Sequence, residues 1–253
     1  MPQGRRGTGL APVPLVDPTR LALDDDLRRK HLARNLARFR REAPELADRI
    51  AAASTEGAEL VLSRRGDATL AWQGQLVASA YDPRAEGEGL AKQVPEAADL
   101  IVALGFGTGH HLEALASQAS RRLVIFEPEV ALLRAALSAA PFSFLGAAHV
   151  DLAGDEDALA DWVQRHYTLG LSIHVLPHPS LARSQPDALR SLVERIARAK
   201  EQADLRIATL RTWSQHWALT AVENAPQLIG LPTLAELGGA LAGTTAVVLS
   251  LIH

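Results

Sequence analysis

LIVALGFGTGHHLEALASQASRRLVIFEP, residues 100–128, decides the fold. LIVALGF (100–106) is an unbroken apolar run, the pattern of a strand covered on both faces. GHHLEALASQA (109–119) then reads as a helix, and RRLVIFE (121–127) as a second buried strand. Three glycines, Gly105, Gly107 and Gly109, fall at the strand-to-helix turn. There they let the backbone turn sharply, and the free N–H groups of the helix start favour a phosphate or carboxylate. Glu127 ends the second strand, 22 residues after Gly105, where a carboxylate can accept hydrogen bonds from ribose hydroxyls.

The same alternation continues downstream. PEVALLRAALSAA (128–140) reads as a helix and AAHVD (147–151) as a short strand. Asp155 can cap a helix running to His166, and LSIHVLP (171–177) is a further strand. Strands separated by helices imply a parallel, helix-covered sheet, hence a Rossmann-like α/β unit. Upstream, Asp24–Asp26 precede Leu27, Leu32, Leu36 and Phe39, which marks a helix start, and Pro44 suits the first turn of a second helix. The Arg-rich face of the first helix, Arg28 to Arg41, reads as a solvated surface, because no aromatic residues interleave it. AELVLSRRGDATLAWQGQLVASA (58–80) reads as a three-stranded antiparallel meander with turns at Arg65-Gly66-Asp67 and Gln73-Gly74. A long helix spans about Asp187–Asn224, with Pro226, Gly230 and Pro232 expected to break it. The expected organisation is a disordered tail (1–22), helices plus meander (23–98), the Rossmann-like unit (99–184), the long helix with a linker helix (185–243), and a final apolar strand (244–253).

Composition narrows the function classes. The 253 residues carry 26 Lys+Arg against 29 Asp+Glu, and this near balance argues against a general nucleic-acid binder. Cys is 0, so a disulfide framework, a thiolate-ligated zinc and a thiol nucleophile are excluded. No run is long and apolar enough to suggest a membrane span, and the N-terminus lacks a signal-peptide core, so the cytoplasm is the expected compartment. The glycine pattern is G-x-G-x-G with His110 where a dinucleotide fingerprint has its third glycine, which disfavours NAD. It is closer to the glycine motif of class I S-adenosylmethionine methyltransferases. Those usually place an acid two residues before the first glycine, and here Ala103 stands there. A non-binding glycine turn, a nucleotide or nucleotide-sugar site and, less favoured, an S-adenosylmethionine site therefore stand as alternatives. The candidate cofactor residues are Gly105, Gly107, Gly109 and Glu127.

Other constellations are weaker. His110 and His111 are adjacent and point about 100° apart on a helix, so they do not share a metal easily. His174 and His178 flank a strand end without a carboxylate beside them, so no metal site is expected. Trp213 and Trp217, at i and i+4, read as a packing stripe or a docking face.

Four segments, in order, resemble the N-terminal region of the Maf-type (motility accessory factor) flagellin glycosyltransferases. They are NLARFRREAPELADRI (35–50), ASAYDPRAEGEGLA (78–91), LGFGTGHHLEAL with RRLVIFEP (104–115, 121–128), and TWSQHWALTAVENAPQL (212–228). Two positions depart from the family pattern: His110 replaces the usual Tyr after the glycines, and Gly87 stands where Ala is common. The resemblance implies a cytoplasmic protein that transfers a CMP-activated nonulosonic, sialic-acid-like sugar to flagellin. It assigns the chemistry to a following 6-hydroxymethylpterin diphosphokinase MptE-like domain, which opens with a strand and a Gly-Pro-Ser-Leu loop. TAVVLS (245–250) matches that strand and the loop is absent, so the expectation is a chain truncated before its catalytic domain, with no catalytic residue of its own. Flagellin or that catalytic domain would be its partner. A methyltransferase-like enzyme and a docking module remain the alternatives.

Overall fold

A computed structural model describes residues 25–41 and 43–228. The expectations for the N-terminal tail, the linker helix and the final strand lie outside the described residues. The chain divides into two units, Met1–Asp204 and Leu205–His253.

The first unit begins with two helices, α1 (Asp25–Phe39) and α2 (Pro44–Ala52). Asp25 and Asp26 lie in the first turn of α1, where carboxylates complement the helix dipole, and Leu36 and Phe39 reach the core. Pro44 opens α2 as expected. The meander follows as β1 (Ala58–Leu62), β2 (Ala68–Trp72) and a two-residue β3 (Gln75–Leu76). Gln73 and Gly74 both have positive φ, the requirement of a two-residue type I′ hairpin, and Trp72 pairs with Gln75 across it.

YDPRAEGEGLA forms a helix that the hydrophobic pattern does not announce, α3 (Pro83–Ala91). Asp82 caps it through the Ala85 N–H at 2.9 Å, and Pro83 fills its first turn. A Cβ at Gly87 would come within 2.6 Å of His110 Cβ and 2.7 Å of the His111 nitrogen. Glycine at this position therefore permits close approach of the next helix.

The parallel sheet then builds as β4 (Leu100–Leu104), α4 (His110–Ala116), β5 (Arg122–Phe126), α5 (Val130–Ala139), β6 (Val150–Leu152), α6 (Glu156–His166) and β7 (Ile173–Pro177). Asp155 caps α6 through the Ala158 N–H at 2.7 Å, as its position predicts. Strand order is β6-β5-β4-β7, all parallel. The chain therefore lays strands to one side of β4 and then crosses to the other, so the crevice between the ends of β4 and β7 is the topological switch point. All five residues of β4 are buried. The expected α/β architecture, with its preceding helices and meander, is the observed one.

A short helix, α7 (Pro179–Ser184), leads to α8 (Pro186–Leu228). In the first unit α8 buries Leu192, Ile196, Ala199 and Ala203, a single stripe at helical spacing. In the second unit, Leu210, Trp213 and Trp217 are about half exposed among the described residues. Pro226 was expected to break this helix, yet the helix continues through it to Leu228. A proline this close to the end removes only one of the last i→i−4 bonds, so the final turn survives.

Candidate functional site

The glycine turn sits at the switch point. Gly105 N–H donates to the Phe126 carbonyl at 2.8 Å, and His178 N–H donates to the Leu104 carbonyl at 2.7 Å. The ends of β4, β5 and β7 are thereby laced together. Gly105, Gly107 and Gly109 have φ of +98°, +54° and +83°. Each adopts the left-handed conformation that glycine reaches without strain.

Each glycine's missing side chain makes room for a neighbour from this same chain. A Cβ at Gly105 would lie 2.7 Å from His178 Cβ, and one at Gly107 would run into the His178 imidazole. A Cβ at Gly109 would collide with the Phe142 ring. Phe142 in turn packs edge-on against Phe106, with ring centroids 5.2 Å apart. Its backbone N–H donates to Asn35 Oδ1 at 2.8 Å. Asn35 is fully buried and also donates to the Leu137 and Ala140 carbonyls at the end of α5. A side chain on α1 thus positions an aromatic ring against the third glycine.

Glu127 lies where sequence spacing puts it, at the end of β5, and it is buried. Both its oxygens are engaged by backbone. Oε2 accepts from Phe106 N–H at 2.8 Å and Oε1 from Glu129 N–H at 3.1 Å. Burial pushes its carboxyl up to about 7, against the downward pull of these two amides. The group is therefore poised near neutrality, a property common at functional sites and also found in structural networks. The cavity beside it, lined by Glu127, Ser180, Leu181 and Trp72 among others, holds only about 30 Å³.

The structure joins two histidines that sequence spacing leaves apart. His111 on α4 and His178 after β7 are both buried, with ring centroids 4.9 Å apart. His178 caps α7: its Nδ1 accepts from the Ser180 N–H at 3.3 Å and lies 2.6 Å from Ser180 Oγ. Burial, and secondarily the Arg183 charge, bring its pKa down to about 4. Burial and then the charge of His178 hold His111 well below the usual imidazole range. Both rings are neutral at pH 7, and Nε2 of His111 has no hydrogen-bond partner. His110 points elsewhere, into a cavity of about 160 Å³ shared with Thr108, Arg84, Asp67 and Phe142. Burial, followed by the Arg84 charge, lowers its pKa too. The Arg-Gly-Asp triplet is a turn whose Asp67 meets Arg84 at 3.9 Å. No group of three or more His, Asp or Glu side chains able to hold a metal ion occurs among the described residues. The position two before Gly105, acidic in methyltransferases, is the fully buried Ala103.

A four-stranded parallel sheet with a glycine turn at its switch point and a carboxylate closing the neighbouring strand defines a Rossmann-like domain. Residues 77–145, from the end of the meander through the glycine turn to the end of α5 and the turn beyond it, match the family model described as the glycosyltransferase Maf N-terminal domain. Over that stretch the resemblance read from the sequence is borne out. No curated protein matches the chain. Among solved structures, the crystal structure of MNMC2 from Aquifex aeolicus is similar at 18% identity, over 62% of this chain and 58% of that one, with a TM-score of 0.25. That score is too low to bear on fold or function. No helix among the described residues is long and apolar enough to cross a membrane.

Proposed function

We propose that this chain supplies the non-catalytic N-terminal domain of a Maf-type glycosyltransferase, one that attaches a nonulosonic, sialic-acid-like sugar to flagellin in the cytoplasm. The family match over residues 77–145 supports the enzyme class. The observation that carries the non-catalytic reading is the occupation of the glycine turn by His178 and Phe142. The glycine turn packs against the chain's own His178 and Phe142, and Glu127 accepts from one amide of the turn, Phe106 N–H, and from Glu129 N–H beside it. A ligand pocket commonly holds about 300 Å³ or more, ten times the cavity beside Glu127. This close internal packing supports a turn that binds neither a nucleotide nor S-adenosylmethionine.

Calorimetry of the 253-residue chain with CMP, a CMP-activated sialic acid and S-adenosylmethionine tests this reading. No binding heat and no sugar transfer to flagellin are expected. Micromolar binding of either cytidine compound would restore Gly105, Gly107, Gly109 and Glu127 as a cofactor site, with His178 displaced from the turn. Micromolar binding of S-adenosylmethionine would favour the methyltransferase alternative.

A second reading concerns the partner. The half-exposed Leu210, Trp213 and Trp217 lie on one face of α8, and large apolar side chains clustered in this way favour a docking role. Flagellin is the partner this reading assigns to them.

A further inference from the structure

The Arg-rich face of α1 reads from the sequence as a solvated surface, yet two of its arginines line a cavity. That cavity, about 230 Å³, lies between the first turns of α1, the middle of α5 and the start of the meander. Leu32, Leu70, Ala58 and Ala135 line it together with Thr55 and Ser138. Arg28, Arg29 and Arg134 also line it, and among the described residues the carboxylates beside them are Asp25 in the lining and Asp26, which Arg29 meets.

Among the described residues these arginines have loose or partial partners. Arg28 meets Asp25 only at 4.0 Å, and its Nε is shielded from solvent without a hydrogen-bond partner. Arg29 meets Asp26 at 3.7 Å, with its side chain 77% exposed. Arg134 is anchored by its Nη1, which donates to the carbonyls of Ala51 and Ala53 at the end of α2. The Arg134 guanidinium is therefore held in place by the fold, while Arg28 and Arg29 are contributed by the start of α1. Guanidinium groups present paired donors that match the oxygens of phosphate and carboxylate, and they are less strongly hydrated than ammonium groups. The aliphatic side chains beside the arginines, Leu32 and Ala58 among them, suit an organic body attached to the anion.

We propose that this cavity binds a small organic oxyanion, a phosphate or carboxylate carried on an apolar body. The anionic head lies among Arg28, Arg29 and Arg134, and the body rests on Leu32, Leu70 and Ala135. The site is separate from the glycine turn, and the proposal does not depend on the role assigned to that turn.

Phenyl phosphate and benzoate, with inorganic phosphate and phenol as comparisons, probe it by calorimetry or by chemical-shift changes on the full chain. Phenyl phosphate or benzoate is expected to bind at least about tenfold more tightly than inorganic phosphate or phenol. Binding is expected to weaken about tenfold or more in Arg28→Gln and in Arg29→Gln. It is expected to be unchanged in Arg41→Gln, which lies outside the cavity. Arg29 is largely exposed, so its replacement leaves folding intact and keeps the test decisive even if Arg28→Gln unfolds. Equal affinity for the aryl anions and inorganic phosphate would overturn the proposal, as would undiminished binding in Arg29→Gln or no binding of either aryl anion.

Discussion

The imidazole of His178 occupies the space that a side chain at Gly107 would need. One residue follows β7 and the other sits in the turn after β4, so their contact reports that these two strands are neighbours. Gly107→Ala is therefore expected to destabilise the protein by about 2–4 kcal/mol, combining the left-handed backbone with the steric overlap. Gly107→Ala combined with His178→Ala should recover part of that loss. Urea unfolding of the two single variants and the double variant measures the coupling, and purely additive effects would contradict the contact.

Acid should act on this region through two opposed titrations. His178 has a folded pKa near 4 against the usual 6.5, so the unfolded chain binds its proton more readily. Its contribution to stability is full above pH 6.5 and is lost as pH falls towards 4, by about 3 kcal/mol in the limit. Glu127 is raised to about 7 from 4.5, so its contribution is full below pH 4.5 and is lost as pH rises through 7. Glu127→Gln removes the second trend. Between pH 4.5 and 6.5 the stability of this variant should rise more steeply with pH than that of the wild-type chain, as thermal melts would read. Parallel profiles would contradict the buried carboxyl.

Asn35 is expected to be among the costliest polar side chains to remove. Its amide satisfies two carbonyls and one N–H, all provided by residues 137–142. Asn35→Ala leaves these buried groups unpaired, at a cost of about 3 kcal/mol or more. In a domain of this size the melting temperature should fall by roughly 6–12 °C.

Gly87→Ala should destabilise, although alanine is the better helix former by about 1 kcal/mol. The added methyl meets the backbone at His111, which cannot yield as a flexible side chain would. A loss of about 1–3 kcal/mol is expected. A gain in stability would show that α3 and α4 can separate without penalty.

Trp213→Gln and Trp217→Gln should leave stability within about 0.5 kcal/mol of wild type, since both side chains are half exposed. If they form the docking face for flagellin, pull-down of flagellin by the full chain should fall about tenfold in the double variant. Unchanged capture would remove the tryptophans from any such interface.

The β–α alternation from residue 100 onward was legible because buried parallel strands read as apolar runs, and the turn glycines marked where the runs ended. Helix α3 was not legible, because its two glycines depress helix propensity and only the Asp82 cap and the contact with α4 make it helical. The pairing of His111 with His178 was hidden for a different reason. Their proximity depends on β7 crossing to the far side of β4, which is a property of topology and not of spacing. Asn35 was masked by its setting, a polar residue in a stretch rich in arginine, and only the long-range hydrogen bonds reveal its place in the core.

The hydrogen bonds of Asn35 also impose an order in time. Its partners lie 102 to 107 positions further along the chain. At a synthesis rate of roughly 5–20 residues per second, α1 emerges about 5–20 seconds before the end of α5 exists to receive it. During that interval the apolar side of α1, with Leu36 and Phe39, has no permanent home. The charged residues on the rest of α1, its acidic first turn and its arginines, favour water over non-specific association during that interval.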